Sequence, residues 1–456
     1  MAERLVVVGG DAAGMAAASQ ARRRRDPDEL EIVTFERGHF TSYSACGIPY
    51  WISGVVPDRD QLVARDPATF RERYDIHVRL RHEVTAIDLG RREVVARDLA
   101  GGGEVRERYD TLVYATGARP ERPEWACAGV AGVFGVQTLD DGTALLDWLE
   151  GEPRPRRAVV VGGGYIGVEM AEALLQRGLS VELLEQAAQP MSTVDPELAE
   201  LVSTAMRGVG IVIRTGVTVT DLRERDGRIA VVDTSSGPIA ADVVVLGLGI
   251  RPNSALADAA GLPIGPTGGV RTDRRMRVPG VPGVWAAGDC VETLHRVSGM
   301  PVHIPLGTHA NKQGRVAGIN IGGGYATFPG VIGTSVTKVC DLEVGRTGLR
   351  ERDALAAGFE FVSVIAESTS RAGYYPGARP MTVKLIAERP SGRLLGAQIV
   401  GWSEAAKRID ALAVALWNEM TVDEMTALDL GYAPPYAPVW DPVLIAARKA
   451  VDALTR

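Results

Sequence analysis

Ala158-Val159-Val160-Val161-Gly162-Gly163-Gly164-Tyr165-Ile166-Gly167 decides the fold. A short apolar run forms a buried strand, the glycines turn the chain sharply, and a helical stretch continues to about Gln176. Glycines at 162, 164 and 167 serve three needs of a dinucleotide turn: a tight bend, close approach to a pyrophosphate, and packing of helix on strand. The free N–H groups and dipole at the helix start then hold the phosphate. The next strand, residues 181–184, ends at Glu185, 23 residues after Gly162, where a carboxylate can accept hydrogen bonds from an adenosine ribose. Glu185 repels a 2′-phosphate, and Gln186-Ala187-Ala188-Gln189 offers no arginine to attract one. Gly162, Gly164, Tyr165, Ile166, Gly167 and Glu185 are therefore expected to bind NADH in preference to NADPH.

The chain opens on another copy of this unit. Arg4-Leu5-Val6-Val7-Val8 reads as a strand, Gly9-Gly10-Asp11-Ala12-Ala13-Gly14 as a phosphate turn, and the small residues beyond as a helix to about Arg25. A strand over residues 31–35 ends at Glu36, 22 residues beyond Gly14. Asp11 occupies the middle-glycine position, so this copy is imperfect. One glycine-rich turn is weak evidence, since any tight βα loop has one. Two units, each with strand, helix and acidic ribose partner, indicate an α/β chain with two Rossmann-like dinucleotide-binding domains.

Other strands support the same architecture. Thr111-Leu112-Val113-Tyr114 closes on Thr116-Gly117, residues 243–246 lead into the turn 247–253, and residues 283–287 end at Gly288-Asp289. Asp289 is placed either for a ribityl or phosphate-linked hydroxyl or for a helix N-cap. Residues 309–319 read as a helix whose positive end can face the carbonyl side of a flavin. After Gly322-Gly323-Gly324 the character changes: strands at 331–339, 361–366, 381–386 and 394–400, a turn at 389–392, and helices at 404–417 and 442–454. This is an α+β domain without a phosphate motif, and interface or structural duty is its default role.

Composition bounds the function. The 456 residues suffice for two or three domains, and 53 glycines against 5% aromatics fit a turn-rich α/β chain. A net charge of −7 gives no reason to expect nucleic-acid affinity, despite the local run 22–25 of four arginines. No apolar stretch reaches membrane-span length, and with the first strand beginning almost at once no secretory leader is expected. The cysteines at 46, 127, 290 and 340 are widely separated, without metal-type pairing. A cytoplasmic, reducing address and no bound metal are expected.

One cysteine has a chemical setting. Cys46 lies in Ser42-Tyr43-Ser44-Ala45-Cys46-Gly47-Ile48-Pro49-Tyr50, with Pro49 in what reads as the first turn of a helix. Free N–H groups aimed at the sulfur are expected to lower its pKa and favour the reactive thiolate. Two tyrosine-rich loops in the last third, 373–377 and 431–436, read as packed anchors unless a redox site needs a proton donor.

As an ordered set, these motifs resemble the pyridine nucleotide–disulfide oxidoreductase family across essentially the whole chain. The resemblance implies an FAD-binding domain in two parts, residues 1–120 and 250–325, an NAD(P)H-binding domain at 121–249, and an α+β dimerisation domain at 326–456 of a homodimer. It assigns Gly9, Gly14, Glu36, Arg37, Val84, Thr116, Gly117, Gly249 and Asp289 to FAD. Thr41 and Trp51 stand five positions either side of Cys46, so the paired C-x4-C of many members is absent. The lone cysteine is similar to the branch containing coenzyme A disulfide reductase, NADH oxidase, NADH peroxidase and persulfide reductase. The loop 46–50 and the two tyrosine loops are most similar to the coenzyme A disulfide reductases. Ala45, where those enzymes commonly have asparagine, leaves the thiol substrate open. The resemblance implies an NADH- and FAD-dependent reductase of a small disulfide or persulfide, with coenzyme A as a candidate ligand. Cys46 is then its redox sulfur, and Tyr374, Tyr375, Tyr432 or Tyr436 of the second subunit its proton donor. Ser42, Arg22 and Arg25 are candidates for the substrate, the arginines for its phosphates. The alternatives are an oxidase or peroxidase with a Cys46 sulfenic acid, disfavoured because the first turn lacks a histidine, and a low-turnover NADH-responsive sensor.

Overall fold

A computed structural model describes residues 2–126 and 129–455; Cys127 lies outside the described residues. Two five-stranded parallel sheets form its α/β part. The first has the order Val284–Ala286, Thr111–Tyr114, Glu3–Val8, Leu30–Phe35, Ile76–Arg79. The second has the order Val212–Thr215, Ser180–Glu185, Arg157–Val161, Val243–Leu246, Val133–Gly135. Both central strands are buried on both faces, which explains their unbroken Val/Leu runs. The two crossings between these units pair with each other, Ala118–Pro120 running antiparallel to Ile250–Pro252.

The two nucleotide units are near-replicas. Their turn glycines Gly9 and Gly162 have φ of +106° and +99°, which a side chain would strain. Any side chain at Gly14 or Gly167 would overlap the carbonyl of Gly9 or Gly162, so helix and strand meet at backbone contact. The helices Ala12–Arg22 and Tyr165–Gln176 both begin without a side-chain cap, which leaves first-turn N–H groups open to an anion. The first helix packs on Gly307–Ile321 just as closely: side chains at Gly314 and Gly318 would overlap the carbonyls of Ala13 and Ala17.

The C-terminal sheet is antiparallel, in the order Ser335–Val339, Leu342–Gly348, Leu394–Gly401, Pro380–Glu388, Phe361–Thr369. Ala405–Trp417 and Pro442–Leu454 cover it, and their buried faces form one core with the strands. The strands and helices expected from the sequence are present with ends moved by a few residues, whereas the strand Leu342–Gly348 and the helices Leu139–Glu150 and Pro196–Gly208 were not anticipated. The largest shift is Ser335–Val339, where a strand from 331 was expected; Gly333 at φ +69° interrupts it. Among the described residues no helix is long and apolar enough to cross a membrane, and no cluster of three His, Cys, Asp or Glu is placed to hold a metal ion.

Candidate active site

The cysteine segment is strapped to the first phosphate turn. Ser42 N–H donates to the Gly10 carbonyl at 3.2 Å, the Thr41 hydroxyl donates to the same oxygen, and Tyr43 N–H donates to Asp11 Oδ1 at 3.2 Å. Asp11, the apparent flaw in the glycine motif, thus anchors the cysteine loop to the turn. Ser42 adopts φ +50°, a left-handed conformation held by these contacts and by Ala64 N–H on its carbonyl. Cys46 then sits in a single 3-10 turn, Ala45–Gly47, immediately before the helix Ile48–Ser53. That helix buries Ile48, Trp51 and Ile52 in a core shared with the second nucleotide unit and with Val339, Leu342 and Val344 of the C-terminal sheet. Cys46 therefore stands where the three parts of the molecule meet.

Its electrostatics correct one expectation. Cys46 is exposed, yet the protein around it desolvates the sulfur enough to raise its pKa; Glu169, Asp289 and Asp11 raise it further. The expected lowering by helix N–H groups does not prevail, because burial outweighs it and the negative charges of three carboxylates add to the rise. Two belong to the first unit and Glu169 to the second. Asp11 is itself raised to about 6, mainly by burial, and Asp289 is raised by burial against the opposing pull of His303. Burial also raises Glu169, while Thr337 Oγ1 donates to it at 2.6 Å. Sequence reasoning missed Glu169. Its signal was the four-residue spacing from Tyr165, which puts both on one helix face.

The residues fit two dinucleotides. Glu36 accepts N–H bonds from Gly10 at 2.8 Å and Gly38 at 2.7 Å; Glu185 accepts from Gly163 at 2.7 Å and Ala187 at 2.8 Å. Each carboxylate is thus fixed at a strand end beside its turn, with lone pairs left for ribose hydroxyls. Gly164 has open space where a side chain would stand, as a pyrophosphate requires. Thr116, Gly117 and Asn253 are tied together, by Thr116 Oγ1 on the Asn253 carbonyl at 2.7 Å and Asn253 N–H on Gly117 at 2.9 Å. Gly249, at φ +94°, accepts Glu121 N–H at 2.9 Å in the ribbon next to them. Gly288 N–H donates to Gln313 Oε1 at 2.8 Å, which sets the Gly-Asp turn against the helix Gly307–Ile321. Arg37 is exposed beside Glu36, and Val84 lies half-buried on the strand His82–Asp88 against the first unit's core. Ile166 is exposed at the second turn, and the Tyr165 hydroxyl lies 2.7 Å from Ser335 Oγ.

Other candidates fall elsewhere. Arg22 is buried, its guanidinium donating to the carbonyls of Tyr74, Arg25 and Asp75. It serves chain packing and not a substrate phosphate, a correction to its expected role. Arg25 pairs with Glu3 at 2.5 Å and donates to the Glu29 carbonyl. The two tyrosine loops come together: Tyr374 interacts with Tyr432 and raises its pKa, and Ala372 N–H donates to the Pro434 carbonyl at 3.1 Å. Tyr374, Tyr432 and Tyr436 are 78%, 48% and 67% exposed, and Tyr375 is half-buried. Cys290 is fully buried, with its thiol pushed up to about 12, and Cys340 is buried with its thiol pushed up to about 11. Both are packing residues.

A lone sulfur beside two dinucleotide sites defines a flavin- and NAD(P)H-dependent oxidoreductase. The pyridine nucleotide-disulphide oxidoreductase family matches residues 3–314 and its dimerisation domain matches residues 334–442, so the chain belongs to that family. It is 38% identical over 445 residues to an NAD(P)H sulfur oxidoreductase (CoA-dependent) of Pyrococcus abyssi, covering 97% of each chain. Among solved structures, a NAD-dependent persulfide reductase from A. fulgidus matches with a TM-score of 0.94 at 40% identity, over 99% of this chain and 83% of that one. Reduced CoADR-RHD of Bacillus anthracis matches with a TM-score of 0.95 at 34% identity, over 100% and 81%.

Proposed function

We propose that this protein uses NADH and FAD to reduce a small disulfide or persulfide, of the coenzyme A disulfide or persulfide kind, through Cys46 as its one redox-active sulfur. The observation that carries this reading is the setting of Cys46: a loop tied to the first phosphate turn, and a following helix seated in the core of the second unit. Cys46, Cys290 and Cys340 are free, and the latter two are buried, so the reading needs no second protein cysteine.

Residues 9–14 with Glu36, Thr116, Gly117 and Asp289 would hold FAD, and residues 162–167 with Glu185 would hold NADH. Bound FAD would supply the two-electron relay between nicotinamide and sulfur. The chain's own part is sulfur and proton chemistry. The Cys46 thiolate attacks one sulfur of the substrate, forming a mixed disulfide and releasing the other half as a thiolate. Two electrons then break that mixed disulfide, freeing the second thiol and restoring the Cys46 thiolate. A tyrosine of the pair Tyr374 and Tyr432, or its neighbours Tyr375 and Tyr436, protonates the leaving thiolate from a second copy of the chain; their exposure leaves them free to meet one. Ser42 and Arg25 remain the substrate-side candidates. The three free described cysteines fit a reducing, cytoplasmic setting.

Anaerobic turnover with NADH against coenzyme A disulfide, coenzyme A persulfide, polysulfide and hydrogen peroxide, with a parallel aerobic assay, tests the reading. A sulfur acceptor is expected to give the highest kcat/KM. Preference for peroxide or oxygen would replace this reading with the sulfenic acid cycle.

A further inference from the structure

Four neighbouring strands of the C-terminal sheet each place one polar residue in a single cross-strand row. Ser335 pairs with Arg346, Arg346 with Gln398, and Gln398 with Lys384. Residues directly opposite share a sheet face, and all four reach the second nucleotide unit. Ser335 Oγ meets the Tyr165 hydroxyl, and Arg346 donates to the Thr193 carbonyl at 3.1 Å. Gln398 holds Asp195 twice: its Oε1 accepts the backbone N–H and its Nε2 donates to the carboxylate, both at 2.6 Å. Lys384, 1% exposed, sets its Nζ 3.2 Å from Asp195, 2.9 Å from Glu197 and 2.8 Å from Glu351.

A charge network around a buried lysine and aspartate is a poor source of stability, since apolar side chains of similar volume often do as well. Its distinctive property is a fixed geometry, and here the fixed object is the loop 186–195. In the middle of that loop Met191 N–H donates to the Gly163 carbonyl at 2.7 Å. Pro190 packs so closely on Gly163 that a side chain there would collide with it. Met191 is fully buried and held at φ +54°. The loop thus connects the phosphate turn to Asp195 through the buried Pro190, Met191 and Val194.

We propose that this row is a positioning device by which the C-terminal domain sets the geometry of the NADH turn, through Gln398 and Lys384 on Asp195 and through Ser335 on Tyr165. The row acts through the turn and touches no reacting atom. The inference rests on reading residues 162–167 and Glu185 as the NADH site.

The test uses the FAD-loaded dimer and titrates NAD+ by calorimetry, alongside steady-state kinetics and hydrogen exchange at the Met191 amide. Gln398→Met is expected to weaken NAD+ about tenfold and raise KM for NADH equally. Its kcat and its KM for the disulfide stay within about twofold, and Met191 exchanges faster. Ser335→Ala, which removes one hydroxyl at the far end of the row, raises KM for NADH in the same direction and carries the test alone if Gln398→Met does not fold. Folded variants with unchanged NAD+ affinity and unchanged Met191 exchange overturn the proposal. A wild type whose NAD+ affinity is unmoved by Glu185→Ala refutes the site assignment itself, and the row's role falls with it.

Discussion

Burial is the main reason the Cys46 thiol is held above its ordinary pKa, and the charges of Glu169, Asp289 and Asp11 add to it, a part that single substitutions can remove. Glu169→Gln deletes one negative neighbour and favours the thiolate. The rate of alkylation by iodoacetamide, followed against pH in the apoprotein, is expected to reach its midpoint at lower pH than in the wild type. Asp11 gives a second pH-dependent signature. Between 3.8 and about 6 the folded chain keeps a proton on Asp11 that the unfolded chain has released, so this group's contribution to stability falls as pH rises through that window. Asp11→Asn flattens that slope in the apoprotein, measured by denaturant unfolding at several pH values. At Glu185, the fixed carboxylate and the absence of arginine in residues 186–192 predict a higher kcat/KM with NADH than with NADPH. A clear NADPH preference contradicts that assignment.

At the scale of elements, the two nucleotide units were legible because glycines, apolar runs and a terminal glutamate state the same βαβ geometry locally. Asp11 was legible only as a departure from the motif. Its use, holding Tyr43 N–H, depends on a loop that returns from 32 residues away. The cross-strand row of Ser335, Arg346, Gln398 and Lys384 was hidden for the same reason: four strands contribute one residue each, and only the register aligns them. Arg22 misled because a basic run on a helix reads as solvated, while the end of the helix Pro67–Tyr74, at Tyr74 and Asp75, folds over it. The packing of Ala12–Arg22 against Gly307–Ile321 yields a direct prediction. Gly314→Val forces a side chain into the Ala13 backbone and is expected to destabilise the fold by roughly 3 kcal/mol, with FAD lost on gel filtration.

At the scale of the whole molecule, the exposed tyrosine pair distinguishes two architectures. If it serves the partner's Cys46, mixing Cys46→Ser with the double variant Tyr374→Phe, Tyr432→Phe restores one complete site in each mixed dimer. Random reassociation of equal amounts then recovers about one quarter of wild-type turnover. A pair serving its own subunit recovers none. Reduction through a single sulfur is tested by anaerobic turnover of coenzyme A disulfide with NADH in the FAD-loaded Cys46→Ser variant. Turnover is expected to fall by about a thousandfold or more while NAD+ affinity and FAD content stay at wild-type values. A Cys46→Ser enzyme that reduces the disulfide at the wild-type rate would rule out Cys46 as the redox sulfur.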